Sequence, residues 1–154
     1  MGLRRGNALV TVSDMNGVEV GEADDEHSQS WTVPFAATAV RAARTTITVA
    51  LRQRQVAASV IEDARLVVSE LLGNALRHAR PLPDGTLRVG MVIKDETIRL
   101  FVVDGGSVTL PTLLSPPPLA TGGRGLSIVR HLTRDWGVHE THTGNTVFGV
   151  INLA

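Results

Sequence analysis

The stretch Ser69-Glu-Leu-Leu-Gly-Asn-Ala-Leu-Arg-His-Ala79 predicts the central helix of this protein. Apolar residues recur in it every three or four positions, the spacing of one helix face: Leu71, Leu72, Ala75, Leu76 and Ala79. The same spacing places four polar side chains on the opposite face: Glu70, Asn74, Arg77 and His78. Gly73 lies mid-helix, where glycine costs about 1 kcal/mol relative to alanine. Beside a carboxylate and an amide, this glycine suggests that something bulky lies against the turn; the alternative is an ordinary solvated face.

The composition is that of one ordinary globular domain, with 154 residues, 43% hydrophobic and 19% charged. No run approaches the ~18 apolar residues of a membrane span, and no apolar signal region opens the chain. The absence of cysteine excludes a disulfide scaffold, a thiol nucleophile and thiolate metal sites. The formal net charge is zero, so bulk attraction to nucleic acid is lacking. We therefore expect a cytoplasmic protein with no direct nucleic-acid partner and no membrane partner.

The basic residues are almost all arginines, and Lys94 is the only lysine. A Walker-type phosphate loop needs Gly-Lys-Ser/Thr, whereas Lys94 stands in Ile-Lys-Asp. A nucleotide would have to be bound by another route.

The order of the predicted elements indicates an α+β fold. Residues 1–30 are acidic and poor in apolar residues towards their end, which predicts a largely disordered N-terminal extension. Ser59, with Glu62 three residues later, has the pattern of a capping box at the start of the central helix. The elements are a strand at 31–35, helices at 38–55 and 59–79, a hairpin at 86–94 and 97–103, a helix from Leu126, and a hairpin at 136–141 and 146–153. This order predicts a two-layer sandwich: a mixed, mainly antiparallel sheet with helices on one face.

A long proline-containing segment follows the second strand, between Asp104-Gly105-Gly106 and Gly122-Gly123-Arg124-Gly125. Loops of this length inside a compact domain are commonly lids or binding loops, so we interpret about 105–123 as a lid. A proline-rich recognition motif is the alternative. The glycine-rich turn before the helix at Leu126 would expose backbone N–H groups, a setting that binds anions such as phosphate.

Other catalytic classes find little support in the sequence. The five histidines do not have the spacing of a metal site: His27, His78, His131, His139 and His142. Ser69 and Ser127 lack the Gly-x-Ser-x-Gly context of a hydrolase nucleophile.

Three motifs carry a resemblance to a known family. Glu70-Leu-Leu-Gly-Asn74-Ala-Leu-Arg-His78, Val-Val-Asp104-Gly-Gly106 and Gly-Gly-Arg-Gly125-Leu-Ser-Ile-Val resemble the N, G1 and G2 boxes of the GHKL (Bergerat-fold) ATPase superfamily. The upstream Pro-Phe-Ala-Ala-Thr-Ala-Val-Arg-Ala-Ala-Arg and the downstream Asp-Trp-Gly-Val resemble the stand-alone anti-sigma-factor serine/threonine kinases of actinobacterial type. The resemblance covers about Trp31 to Leu153 and implies a histidine-kinase-like ATPase fold, with 31–154 as an ATP-binding kinase-like domain.

The resemblance also implies roles at the ATP site. Asn74 would bind Mg²⁺ through its amide oxygen, and Glu70 would be the general base for the hydroxyl that attacks the γ-phosphate. Asp104 would accept a hydrogen bond from the adenine amino group, and Gly106 would let the backbone approach the base.

The phosphates would be held by the glycine-rich segment, namely Gly123, Arg124, Gly125 and Leu126, with Arg124 as a partner for their charge. Arg77 and His78 would face the same pocket. Two residues depart from the family pattern: Val108 stands where a second glycine is expected, and Asn145 follows Gly144 where close relatives often carry a lysine.

Three functions follow from the resemblance as hypotheses. The first is a kinase that sequesters a sigma factor and phosphorylates a serine of an anti-anti-sigma (STAS-type) partner. The second is a nucleotide-gated binding module with little or no kinase activity, which the two departures favour. The third, a histidine-kinase catalytic domain, would need a dimerising helical hairpin with a phosphoacceptor histidine, for which the residues before Trp31 are too few and too polar. Related proteins often dimerise, so a homodimer is an expectation that the residues do not decide.

Overall fold

A computed structural model describes residues 28–106 and 121–153, with the side chains of 121–126 left aside. Its elements in chain order are β1 (Ser28–Pro34), α1 (Thr38–Gln53), α2 (Ala58–His78), β2 (Thr86–Lys94), β3 (Thr97–Asp104), α3 (Thr121–Leu132), β4 (Asp135–Glu140) and β5 (Asn145–Asn152). Residues 1–27 of the predicted N-terminal extension and residues 107–120 of the predicted lid, including Val108, lie outside the described residues. The last three residues of the predicted extension, 28–30, are the start of β1, so the prediction of disorder is wrong for them, because they pair with β2.

The described strands form one five-stranded sheet in the order β1-β2-β3-β5-β4. All four pairings are antiparallel, so the predicted mixed, mainly antiparallel sheet is wholly antiparallel in these strands. β1 is an edge strand, and Pro34 is its last residue. Proline has no N–H to donate to a neighbouring strand, so an edge strand is where a sheet tolerates it. The α+β prediction is confirmed.

The β2–β3 hairpin turns through two residues, as predicted. Asp95 and Glu96 both have positive φ angles, 51° and 63°, and Lys94 pairs with Thr97 across the turn. Two successive left-handed residues match the right-handed twist of the flanking strands, so the turn fixes the hairpin register.

The main core lies between one face of the sheet and the helices. It joins fully buried residues from α1, α2 and the central strands, among them Ile47, Leu51, Val67, Leu71, Leu100 and Val102. Burying each such side chain contributes about 1.5–3 kcal/mol. The opposite sheet face carries a separate buried cluster of Phe101, Phe148 and Val150, which shows that the two faces of the sheet are packed independently.

Gly149 of β5 lies where α2 and α3 come together over the sheet. A Cβ at this position would lie 2.9 Å from Thr133 Cγ2 and 3.4 Å from Val67 Cγ1. The absence of a side chain therefore lets both helices approach the centre of the sheet.

Two predicted helix starts differ from the structure. α2 begins at Ala58 with Ala57 before it and no side-chain cap, so the capping box predicted at Ser59 is wrong. α3 begins at Thr121, five residues before Leu126, because its hydrogen bonding extends beyond its apolar pattern into the glycines. The end of the predicted lid, 121–123, is consequently helical. No helix in residues 28–106 and 121–153 is both long enough and apolar enough to cross a bilayer.

Candidate functional site

Asn74 is the most buried member of the polar face of α2. It is 2% exposed, whereas Glu70 and His78 are half-buried and Arg77 is exposed. Asn74 Oδ1 and His78 Nε2 are both buried and have no hydrogen-bond partner among the described residues. An unsatisfied buried polar atom costs about 1–3 kcal/mol, so an acceptor kept in this state points to a missing donor or cation.

Gly73 is covered by a residue of its own helix. A Cβ at position 73 would lie 3.3 Å from Nη1 of Arg77, whose guanidinium folds back along the helix by one turn. The bulky neighbour that the sequence suggested is therefore, in this structure, Arg77.

Asp104 is the last residue of β3 and is 2% exposed. Burial raises the pKa of its carboxyl from 3.8 to about 6, and two backbone donors, the N–H groups of Gly106 and Asn145, oppose part of this rise. The Gly106 N–H donates to Asp104 Oδ1 at 2.7 Å. A carboxylate can accept about four hydrogen bonds, so Asp104 keeps capacity for a ligand donor.

Backbone hydrogen bonds join the end of α2 to the residues after Asp104. The Arg80 N–H donates to the Gly106 carbonyl and the Gly105 N–H donates to the Arg80 carbonyl, both at 2.8 Å. A Cβ on Gly105 would overlap the carbonyl oxygen of Pro81, and Gly106 has a φ of 111° that favours glycine. Gly105 is thus required by the close approach of two chain segments, and Gly106 is favoured by its own backbone conformation.

The β4–β5 turn lies against Asp104. A Cβ on Gly144 would overlap the Asp104 carbonyl oxygen, and Asn145 lies opposite Asp104 in the β3–β5 ladder. Sequence reasoning identified Asn145 only as a departure from a family pattern and missed its backbone N–H as a donor to Asp104. Asp104-Gly105 and Gly144-Asn145 stand at the ends of two predicted strands, but these strands were assigned to separate hairpins, and their pairing is known only from the structure.

The first turn of α3 points to the same end of the sheet. Only Thr133 and Arg134 connect α3 to β4, so the chain reverses there, and the Arg134 N–H donates to the Val150 carbonyl. β4 then runs from opposite Val150 to opposite Asn145, which is beside Asp104. The start of α3 therefore lies towards Asp104, and the N–H groups of its first turn, which have no partner within the helix, lie at that end.

This helix start modifies the predicted phosphate-binding segment. The backbone of Gly123, Arg124, Gly125 and Leu126 is helical from Thr121 onwards, and the side chains of these residues are not described. The N–H groups without helical partners are those nearest Thr121, whereas those of Gly125 and Leu126 lie within the helix.

Together these features form three complementary groups at one end of the sheet. A buried carboxylate can accept from an amino group, an unpaired amide oxygen is a hard ligand suited to Mg²⁺, and a helix start attracts anions. The described residues contain no group of three or more His, Asp or Glu that could hold a metal ion. Any cation here would depend on Asn74 together with ligand oxygens and water.

Comparison with known families identifies the family of the chain. A family model described as a histidine kinase-like ATPase domain matches residues 33–148, which is most of the chain. The protein therefore belongs to the histidine kinase-like ATPase domain family. The resemblance to the GHKL superfamily is confirmed, and the family and fold define an ATP-binding, kinase-like module.

A solved structure with the same fold contains the RsbU and RsbW domains of Rv1364c from Mycobacterium tuberculosis. It superposes with a TM-score of 0.62 at 19% sequence identity, covering 81% of this chain and 31% of that one. The chain thus spans about a third of the length of this relative, and the likeness shows a shared fold. No curated protein matches the sequence.

Proposed function

We propose that this protein is an ATP-dependent serine/threonine protein kinase of the anti-sigma type. It would sequester a sigma factor and phosphorylate a serine of an anti-anti-sigma, STAS-type protein. The observation that carries the proposal is the buried, unpartnered Oδ1 of Asn74, one helical turn from the half-buried Glu70. The resemblance of the flanking motifs to anti-sigma-factor kinases supports the choice of substrate.

The residues of the site divide the binding of Mg²⁺-ATP among them. Asp104 accepts a hydrogen bond from the adenine amino group, and Gly106 leaves room for the base. Asn74 Oδ1 would hold a hard cation such as Mg²⁺, which when bound would supply positive charge to offset that of the phosphates. The start of α3, with Gly123, Arg124, Gly125 and Leu126, lies on the phosphate side, and Arg77 and His78 flank Asn74.

Glu70 would act as the general base in phosphate transfer. The serine Oγ of the partner forms a bond to the γ-phosphorus while the bond from that phosphorus to the ADP oxygen breaks. The serine proton passes to the Glu70 carboxylate, which is within one turn of Asn74 on the same helix. Positioning and charge stabilisation supply most of the remaining rate enhancement in such reactions.

A second candidate function is a nucleotide-gated binding module. Asn145 stands where close relatives often carry a lysine, and it is buried with its N–H engaged by Asp104. In that case nucleotide binding alters partner affinity and no phosphate is transferred.

Transfer of radiolabelled γ-phosphate to STAS-type proteins of the same organism tests both functions. We expect wild type to label a serine, and Glu70→Gln to bind nucleotide normally while losing at least about 100-fold in rate. Glu62→Gln, an exposed carboxylate on the same helix, is the matched control and should retain full activity. Normal ATP binding without any labelled partner would favour the binding module, and an undiminished rate in Glu70→Gln would exclude Glu70 as the base.

A further inference from the structure

A groove of about 480 Å³ runs along the surface between α1 and α2, and none of its residues belongs to the ATP site. Six of the lining residues come from α1 and one from α2: Arg41, Arg44, Thr45, Thr48, Val49, Arg52 and Arg65. Four of the seven are arginines, and no carboxylate lines the groove. We refer to it as the arginine groove.

The positive charge of the arginine groove is largely uncompensated. Arg65 lies 3.9 Å from the exposed carboxylate of Glu62, one turn away on α2. Across the described ranges 28–106 and 121–153, no ion pair joins a carboxylate to Arg41, Arg44 or Arg52. Such exposed cations attract anions, and guanidinium groups pair with carboxylates through two parallel hydrogen bonds.

Thr48 contributes a buried hydroxyl to the wall of the arginine groove. It is 6% exposed, and its buried Oγ1 has no hydrogen-bond partner within the described part of the chain. Other helical hydroxyls here donate to the carbonyl four residues earlier, as Thr46 does to Ala42 and Ser69 does to Arg65. Because Thr48 does not, its hydroxyl is an unsatisfied polar atom in the wall of the groove, buried beneath the surface that a ligand would contact.

The shape of the arginine groove favours an elongated ligand over a single phosphate. Arg41 and Arg52 are three helical turns apart on α1, about 16 Å along the axis, so their guanidinium groups do not converge on one anion. Val49 lines the groove and is 49% exposed, one of the large hydrophobic side chains that remain exposed among the described residues. Basic side chains around exposed apolar ones complement an amphipathic helix with an acidic face.

We propose that the arginine groove is a docking surface for an acidic amphipathic helix of a partner protein. Acidic residues of that helix would pair with the arginines, and its apolar residues would pack on Val49. The proposal deepens the proposed function by giving a partner protein its contact surface, and it does not require nucleotide binding or phosphate transfer.

A synthetic helix tests the groove on the full-length protein. The probe is a fluorescein-labelled 18-residue peptide with Glu spaced to face the arginines and Leu between them, measured by fluorescence anisotropy at low and physiological salt. We expect binding that weakens with salt and falls at least about tenfold in Arg44→Glu/Arg52→Glu. Thr48→Val, which changes only a buried hydroxyl, and Arg130→Glu, an exposed arginine outside the groove, should both leave it unchanged. Circular dichroism and ADP binding by calorimetry verify that each variant is folded.

Three results would overturn the proposal. One is equal binding of a peptide with Lys in place of Glu, and another is unchanged affinity in the folded Arg44→Glu/Arg52→Glu variant. The third concerns the chain's own acidic residues, Glu22, Asp24, Asp25 and Glu26. If the peptide binds more tightly after these residues are made neutral, the occupant of the groove in the wild-type protein is this acidic segment and not a partner helix. If the wild-type protein binds the peptide but does not bind ADP, the proposed function is contradicted and the groove assignment remains intact.

Discussion

Asn145 lies directly opposite Asp104 in the β3–β5 ladder, and its backbone N–H donates to the Asp104 carboxylate. Gly144 allows this approach, since any Cβ there would overlap the Asp104 carbonyl oxygen. The Gly106 N–H holds the carboxylate from the other side at 2.7 Å. The acceptor proposed for adenine is therefore positioned by backbone groups of two separate turns, which leaves its remaining lone pairs for the ligand.

Gly144→Ala should damage both the fold and the site. The new methyl group would collide with backbone atoms of Asp104 that cannot rotate away, so we expect the free energy of unfolding to fall by about 1–3 kcal/mol. Nucleotide affinity should also fall, because the carboxylate is displaced. Urea denaturation and calorimetry with ADP measure the two effects. Unchanged stability would show that the β4–β5 turn can move away from β3.

Gly73→Ala should have the opposite effect on stability. The nearest atom to the new methyl group, Arg77 Nη1 at 3.3 Å, is the far end of a flexible side chain. Replacing a mid-helix glycine removes a cost of about 0.5–1 kcal/mol, so we expect the free energy of unfolding to rise by that amount. The same urea titration measures it, with Gly144→Ala as the contrast. A loss of stability would mean that Arg77 is held rigidly against position 73.

The elements that local patterns specify were predictable from the sequence. The three- and four-residue periodicity of α2 and the strand–turn–strand pattern around Asp95 depend on neighbouring residues, and both are present. The family motifs predict Asn74 and Asp104 as site residues, and the structure shows that both are buried polar residues. The features that could not be predicted from the sequence depend on contacts between distant segments of the chain.

Three particular residues illustrate that limit. Arg80 pairs with Gly105 and Gly106 through the backbone, and no side-chain pattern reports such a bond. Asn145 acts through its N–H, so its side-chain identity pointed only to a departure from the family. Ser59 has the capping pattern but lies inside α2, because the preceding turn begins the helix at Ala58.

Asn74→Ala should have little effect on the stability of the free protein and a large effect on the binding of Mg²⁺-ATP. The substitution removes a buried acceptor that lacks a partner, so its effect on the free energy of unfolding without ligand should be under about 1 kcal/mol. ATP affinity in the presence of Mg²⁺ should fall at least about tenfold, while affinity in EDTA should change little. Calorimetry with and without Mg²⁺ checks this, with Ser69→Ala on the same helix as control. An equal loss in EDTA would mean that Asn74 contacts the nucleotide and not the cation.

The raised pKa of Asp104 makes the stability of the free protein depend on pH. Its pKa is about 6 in the folded protein and 3.8 ordinarily, so between these values the folded state binds more protons than the unfolded state. The free energy of unfolding should therefore decrease as pH rises from about 4 to about 6, by up to about 3 kcal/mol. Asp104→Asn should lack this decrease. Urea titrations of both proteins across the range measure it, and parallel curves would place the pKa of Asp104 near its ordinary value.

Nucleotide affinity should depend on the same group with the opposite sign. The ionised carboxylate is the better acceptor for the adenine amino group, so binding favours the deprotonated form and affinity should rise with pH through about 6. At pH 5 only about a tenth of the free protein has Asp104 ionised, which predicts about tenfold weaker ADP binding than at pH 7.5. Calorimetry with ADP in EDTA removes any contribution of Mg²⁺ at Asn74. Asp104→Asn should bind weakly at both pH values with no such trend, and a wild-type affinity that is flat over this range would mean that the adenine does not meet the Asp104 carboxylate.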